Sequence, residues 1–199
     1  MAFKRQCLSE SAIRSELLSQ LWRQGQSDGV LLLEEMGLLR GAYRADVVAI
    51  DTEIAGYEIK SAADTLDRLP HQVAAYSAVF DRASLVVTAS HLKAALGIVP
   101  EWWGLLLATE RNARTVLIEL RSSEANPSPD ANALVRMLWR QEIDKILADA
   151  GEPSTGRRDS ACDVLAKTMT WDELRNQVAR ALRLREDWLP AYIPVSCGD

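Results

Sequence analysis

Two neighbouring segments decide the fold of this chain: Arg44-Ala45-Asp46-Val47-Val48 and Gly56-Tyr57-Glu58-Ile59-Lys60-Ser61. Both contain runs of β-branched or aromatic residues, and a polar stretch that ends in glycine separates them. Such runs favour β-strands, and a short polar connection of this kind favours a hairpin. The sequence therefore predicts two adjacent strands of one sheet.

Charged residues occupy matching places in these two strands. Asp46 enters the first strand, whereas Glu58 and Lys60 lie in the second. Because side chains alternate along a strand, Glu58 and Lys60 should project from one charged and hydrated face, opposite the core face. If the strands pair, Asp46 lies beside Glu58 across the ladder. Two carboxylates and one ammonium group are then expected at one place.

This combination of charges suits a magnesium site. Mg²⁺ takes oxygen ligands at roughly 2.0–2.1 Å and usually binds one or two protein carboxylates, with water and substrate phosphate in its other positions. We expect Asp46 and Glu58 to bind Mg²⁺ or Mn²⁺, and Lys60 to assist the attacking water or stabilise charge on the phosphate. A surface hairpin with a salt bridge is the alternative, and these residues by themselves favour neither.

A longer pattern resembles the PD-(D/E)XK nuclease superfamily, which includes RecB-type nuclease domains and Holliday-junction resolvases. The pattern is Asp46, then Glu58-Ile59-Lys60, then Gln72-Val73-Ala74-Ala75-Tyr76 on a helix. It resembles in particular a branch of mostly hypothetical bacterial proteins. The resemblance implies a magnesium-dependent deoxyribonuclease, a phosphodiester hydrolase in which Asp46 and Glu58 bind the metal and Lys60 assists the water. It also places Gln72 and Tyr76 near the DNA substrate.

The resemblance implies one further acidic residue near the metal. Glu35 is the first candidate, and Glu34 and Glu16 are the alternatives. Glu35 ends an apolar run just before the Asp46 strand, so a solvated strand end is an equally good interpretation.

Nucleic-acid binding would need a local basic patch, because the net charge of −5 argues against general affinity for phosphate. Arg44 and Arg68 are the expected substrate contacts. The candidate patch around the proposed site comprises Arg40, Arg44, Lys60, Arg68 and His71. Two other functions compete with the nuclease: a non-catalytic module that binds nucleic acid or a protein partner, and, less favoured, a regulatory or immunity-type protein whose tail carries the function.

The chain of 199 residues, 48% of them hydrophobic, is long enough for one well-packed domain and an appendage. We expect an α/β fold in which a mixed central sheet is flanked by helices. The resemblance implies a restriction-endonuclease-like core of helix, three strands, helix and strand. Residues 1–121 should form this core, 122–130 a linker with two prolines, and 131–199 a helical C-terminal extension.

The apolar pattern predicts the individual elements. The first helix should begin at Ser9 or Ser11 and end before Gly25. Strands are expected near 30–36, 46–50, 56–60, 83–89, 105–108 and 115–120, with a second helix at 66–80 and a short one at 91–96. Helices should follow at 131–150, at 160–167 and from a capping box at Thr170, with Trp188 near the end of the last. Arginines line this last helix, so the tail contacts DNA, packs on the core or builds a dimer, and the interspersed acidic residues favour packing.

The remaining composition excludes several classes. Cys7, Cys162 and Cys197 are widely spaced and odd in number, which fits neither a disulfide framework nor a zinc site. No segment approaches the ~20 apolar residues of a membrane span. We therefore expect a cytoplasmic protein with no membrane contact, and a homodimer is one option for an enzyme that cuts both DNA strands.

Overall fold

The computed structural model describes residues 8–25, 29–154 and 156–185. Cys7, Trp188 and Cys197 lie outside this part of the chain. The described strands are β1 (Leu31–Leu38), β2 (Tyr43–Ile50), β3 (Ile54–Lys60), β4 (Arg82–Thr88), β5 (Gly104–Arg111) and β6 (Arg114–Arg121). The described helices are α1 (Glu10–Gln24), α2 (Leu69–Val79), α3 (Ala89–Ala95), α4 (Ala131–Val135), α5 (Arg140–Asp149), α6 (Arg158–Thr168) and α7 (Trp171–Arg183).

The strands form a single six-stranded sheet in the order β1-β2-β3-β4-β5-β6. β1, β2 and β3 are an antiparallel meander, β4 and β5 run parallel to β3, and β6 returns antiparallel to β5. The two parallel steps need crossover connections: α2 lies in the one from β3 to β4, and α3 in the one from β4 to β5. The expected α/β class, with a mixed sheet flanked by helices and followed by C-terminal helices, is confirmed.

Helices cover both faces of the sheet. On one face α1 packs Ile13 and Leu17 against a cluster that includes Val47 and Ile59. On the other face, α2 and the C-terminal helices share one core with β1 to β5. The side chains of Glu58 and Lys60 point to this second face and are only 1% and 5% exposed. The expectation of a hydrated charged face is therefore wrong, because α2 lies over it.

The helix ends follow from local hydrogen bonds. Ser9 caps α1, since its Oγ accepts from the Ala12 N–H at 3.2 Å. The expected single helix over 131–150 is wrong: the chain turns at residues 136–139, between α4 and α5. α5 begins where the Trp139 N–H donates to Glu142 Oε2 at 2.6 Å. The capping box at Thr170 is confirmed at the start of α7.

The C-terminal helices are fixed to the sheet by polar contacts as well as by apolar packing. Asp81, the residue just before β4, accepts from the Ile54 N–H and from Trp171 Nε1, both at 2.8 Å. Arg183 donates from Nη2 to the Ile50 carbonyl at 2.6 Å. Packing on the core, the favoured interpretation of the tail, agrees with these contacts. Within the described ranges, no helix combines the length and the apolar character needed to cross a bilayer.

Candidate active site

The site lies where β2 and β3 separate. Their backbone ladder ends at the pair Val47 and Tyr57, one step before Asp46 and Glu58. Asp46 Oδ2 instead accepts from the Ile59 N–H at 2.7 Å, so a side chain takes the place of the next backbone partner. The opening between the strands therefore has carboxylates on both sides.

Glu58 is a buried carboxylate with three donors. Its Oε1 accepts from Lys60 Nζ and from Gln72 Nε2, each at 2.5 Å. Its Oε2 accepts from the Tyr76 hydroxyl at 2.7 Å. A charge removed from water is costly unless it is paired and hydrogen-bonded, and these donors meet that requirement.

Tyr76 connects the two acidic residues from above the sheet. Its hydroxyl oxygen accepts from the Asp46 N–H at 3.1 Å while its proton is donated to Glu58. The ring is fully buried and packs against Phe80 and Trp103, with centroid distances of 5.1 and 5.6 Å. Burial, and then the negative charge of Glu58, raise the pKa of Tyr76 well above its usual value of 10. The hydroxyl therefore stays protonated and acts as a fixed donor.

Asp46 has a strongly perturbed carboxyl group. Burial raises its pKa from 3.8 to about 7, and the charge of Glu58 adds to the rise. The Ile59 N–H, Arg14 and Lys60 act in the opposite direction. Near neutral pH this carboxyl is thus partly protonated, although a nearby cation would favour its charged form.

Arg14 of α1 was not predicted as part of the site. Its Nη1 donates to the Asp46 carbonyl at 2.8 Å, and its Nη2 lies 2.5 Å from Glu10 and 2.9 Å from Glu35. Carboxylate oxygens of Glu10, Glu35 and Asp46 lie within 4.8 Å of one another, and the Arg14 guanidinium lies against all three. The only signal in the sequence is the Glu10 and Arg14 pair, four residues apart on one helix.

The structure brings Glu35 to this group, 3.6 Å from Arg44. Its backbone is left-handed, with φ of 53°, although it lies within β1. The two alternatives to Glu35 lie in different places. Glu34 lies 3.5 Å from Arg14, whereas Glu16 forms an ion pair with Arg23, further along α1.

A cleft of about 550 Å³ opens beside Asp46, and Arg44, Arg68, His71 and Gln72 line it. We call it the Asp46 cleft. Gln72 Oε1 is buried without a hydrogen-bond partner in the described part of the chain. Three residues of the predicted basic patch line this cleft: Arg44, Arg68 and His71. Lys60 is buried against Glu58, and Arg40 is outside the cleft and pairs with Asp159.

Comparison with known proteins overturns the family expected from the motif. The family model described as bacteriophage P4 protein cII matches residues 4–188 of the chain. Protein cII of Enterobacteria phage P4 is 20% identical over 179 residues, which cover 89% of this chain and 68% of the phage protein. No solved structure matches. The assignment to the PD-(D/E)XK superfamily is therefore wrong, because the model that matches nearly the whole chain is that of another family.

Proposed function

This chain belongs to the bacteriophage P4 protein cII family, and from the chemistry of its site we propose that it is a metal-dependent nuclease that hydrolyses phosphodiester bonds in DNA. One observation carries the proposal: Asp46 and the Glu58–Lys60 pair are joined through the Tyr76 hydroxyl where β2 and β3 separate, and Asp46 lines a cleft with arginines on its walls. The family supplies no activity for the argument, so the proposal depends on the geometry.

Asp46 and Glu58 are the proposed ligands of Mg²⁺ or Mn²⁺. Oxygen donors are what these hard cations prefer, and two carboxylates leave positions for water and a substrate phosphate. Such an ion lowers the pKa of bound water and offsets charge on the phosphate. The raised pKa of Asp46, about 7, supports this assignment, because a carboxyl that is costly to ionise alone gains most from a cation.

Lys60 is the proposed partner of the attacking water. Its Nζ lies 2.5 Å from Glu58 Oε1, which would place the ammonium beside an ion held on that carboxylate. A compact cation at this place favours hydroxide over water and lowers the energy of a negatively charged transition state.

The surrounding residues hold this group and the substrate. Tyr76 is fully buried, so we give it a positioning role: it fixes Glu58 and the backbone of Asp46. Gln72 has an unused buried oxygen next to the Asp46 cleft and can accept from substrate. Arg44 and Arg68 would neutralise phosphates there, and Glu35 remains a weaker candidate for a second contact to metal.

We also propose that the helix, three strands, helix and strand of residues 10–88 have the restriction-endonuclease-like arrangement expected from the sequence. This is a proposal about the scaffold and not about the family. The β1-β2-β3 meander, followed by a crossover to parallel β4, supports it.

A non-catalytic nucleic-acid-binding module is the second candidate. One observation favours it: Glu58 already has three donors, so its hydrogen bonding is complete without an ion. In that case Lys60 would be a structural counter-charge, and the arginines of the Asp46 cleft would carry the function.

The test is cleavage of supercoiled, linear, single-stranded and branched DNA, with and without Mg²⁺ or Mn²⁺. Lys60→Ala and Asp46→Asn should abolish cleavage, whereas Lys93→Ala, an exposed lysine on α3, should leave it unchanged. Cleavage that survives Lys60→Ala would refute the mechanism. If the unmodified protein binds these substrates and cuts none of them, the binding module is the correct function.

A further inference from the structure

A second, smaller cleft lies between the end of β1 and the C-terminal helices. Its volume is about 190 Å³, and its walls contain Arg40, Arg136, Arg158 and Arg185. No aspartate or glutamate is among its described lining residues. We call it the arginine cleft. Four guanidinium groups around one small space stand out in a chain whose net charge is −5.

Only part of this positive charge is neutralised. Arg40 pairs with Asp159, and Arg185 pairs with Glu142 at 2.7 Å. Arg136 and Arg158, in contrast, have no carboxylate at ion-pair distance in the part of the chain that the structure describes. Two positive charges in the arginine cleft are therefore available to an anion.

The guanidinium group of Arg158 is held in place. Its Nη2 donates to the carbonyls of Arg136 and Leu138 at 2.9 and 2.6 Å. These bonds fix the turn between α4 and α5, and they use only one of its three nitrogens among the described contacts. Because the planar guanidinium matches phosphate oxygens with two parallel donors, a fixed one is a ready phosphate ligand.

The arginine cleft and the Asp46 cleft share a wall. Gly41 lines the Asp46 cleft and its neighbour Arg40 lines the arginine cleft, so their Cα atoms are about 3.8 Å apart. The wall between them is the turn Leu39–Gly41, whose three residues all have positive φ. The two clefts are therefore neighbours, separated by a single turn of the chain.

We propose that the arginine cleft binds a backbone phosphate of the same nucleic acid chain whose scissile bond lies at Asp46 and Glu58. Phosphate contacts of this kind fix the register of a nucleic acid without reading its bases. The proposal rests on the proposed function for the identity of the polymer. It assigns to the C-terminal helices a direct part in substrate binding, through Arg136 and Arg158.

The test measures binding without cutting. Fluorescence anisotropy of labelled single-stranded and duplex oligonucleotides is recorded in EDTA for the unmodified protein, Arg136→Gln and Arg114→Gln. Arg114 is an exposed arginine on β6, at the opposite edge of the sheet from β1 and about 24 Å away at the usual strand spacing. Arg136→Gln should weaken binding about tenfold, as expected for one charge-assisted contact. It should also reduce the slope of log affinity against log salt by about 0.7–0.9.

Equal affinities and salt slopes for the two variants would overturn the inference. No binding by the unmodified protein would overturn it as well. Because binding in EDTA is measured separately from the cleavage assay above, the two proposals fail separately: a protein that never cuts DNA but loses affinity selectively with Arg136→Gln refutes only the nuclease. A protein that cuts, and whose binding is unaffected by Arg136→Gln, refutes only the arginine cleft. Equal melting temperatures of both variants serve as the folding control.

Discussion

Without metal, the Asp46→Asn variant should be more stable than wild type at pH 8. With Mg²⁺ added, the variant should instead be less stable than wild type. The carboxyl is buried and faces the charge of Glu58, so its pKa is about 7 in the folded protein, against 3.8 as the ordinary value. Above pH 7 the folded chain must hold a carboxylate that it disfavours. Asparagine has nearly the same shape, carries no charge, and can still accept from the Ile59 N–H.

The size of the effect follows from linkage. Between about pH 4 and pH 7 the unfolded chain has released the Asp46 proton and the folded chain still holds it, so the free energy of unfolding falls as pH rises. The contribution of Asp46 is fully present below pH 4 and is lost above pH 7. The two pKa values set a ceiling of about 4 kcal/mol for this loss. Because the asparagine amide would face Arg14, we expect a net gain of about 2 kcal/mol at pH 8.

The assay is urea unfolding in EDTA at pH 5, 6, 7 and 8, followed by intrinsic tryptophan fluorescence, to which the buried Trp103 contributes. Wild type should lose stability across this range, and Asp46→Asn should lose less. Asp67→Asn, an exposed aspartate next to the Asp46 cleft, is the matched control and should follow wild type. The reasoning fails if wild type is equally stable at pH 5 and pH 8, or if Asp46→Asn is no more stable than wild type at pH 8.

Three further predictions concern the structure around the site. Lys60→Met leaves Glu58 buried without its counter-charge and should lower the free energy of unfolding by about 3–5 kcal/mol, whereas adding Glu58→Gln should recover most of it in the same urea titration. Gly56→Ala places a Cβ in steric conflict with the Phe80 ring, so a loss of at least about 1–3 kcal/mol is expected, and an unchanged melting temperature would contradict the packing. Trp171→Phe removes the donor to Asp81 and should cost about 1.5–3 kcal/mol by calorimetry, with Trp22→Phe, on the exposed side of α1, as the control.

Local patterns explain why most of the sheet could be predicted. The β-branched and aromatic residues of β2, β3 and β4 favour strands, and the predicted ends differ from the observed ones by a few residues. The site residues follow from two periodicities. Glu58 and Lys60 share a face because they are two residues apart on a strand, and Gln72 and Tyr76 share one because they are one helical turn apart.

Contacts between distant residues explain what the sequence did not predict. Arg14 reaches Asp46 across 32 residues, and Trp171 reaches Asp81 across 90. No periodicity links such pairs. The break between α4 and α5 is similar, because the turn is held by Arg158 from the following helix. The family could not be read from the motif either, since a handful of residues at strand and helix spacing fits more than one family.

Proton exchange at the site distinguishes its two proposed functions. Asp46 and Glu58 face one buried ammonium, that of Lys60, and the guanidinium of Arg14 is shared with Glu10 and Glu35. Burial is the main cause that raises the pKa of Asp46 to about 7, and the charge of Glu58 adds to it, so the carboxyl holds a proton near neutral pH. A divalent ion would replace that proton, so binding of Mg²⁺ should release it and should weaken as pH falls below 7. A module that only binds nucleic acid needs no such exchange. Proton release on addition of Mg²⁺, absent in Asp46→Asn, is thus the result that the nuclease requires and the binding module does not.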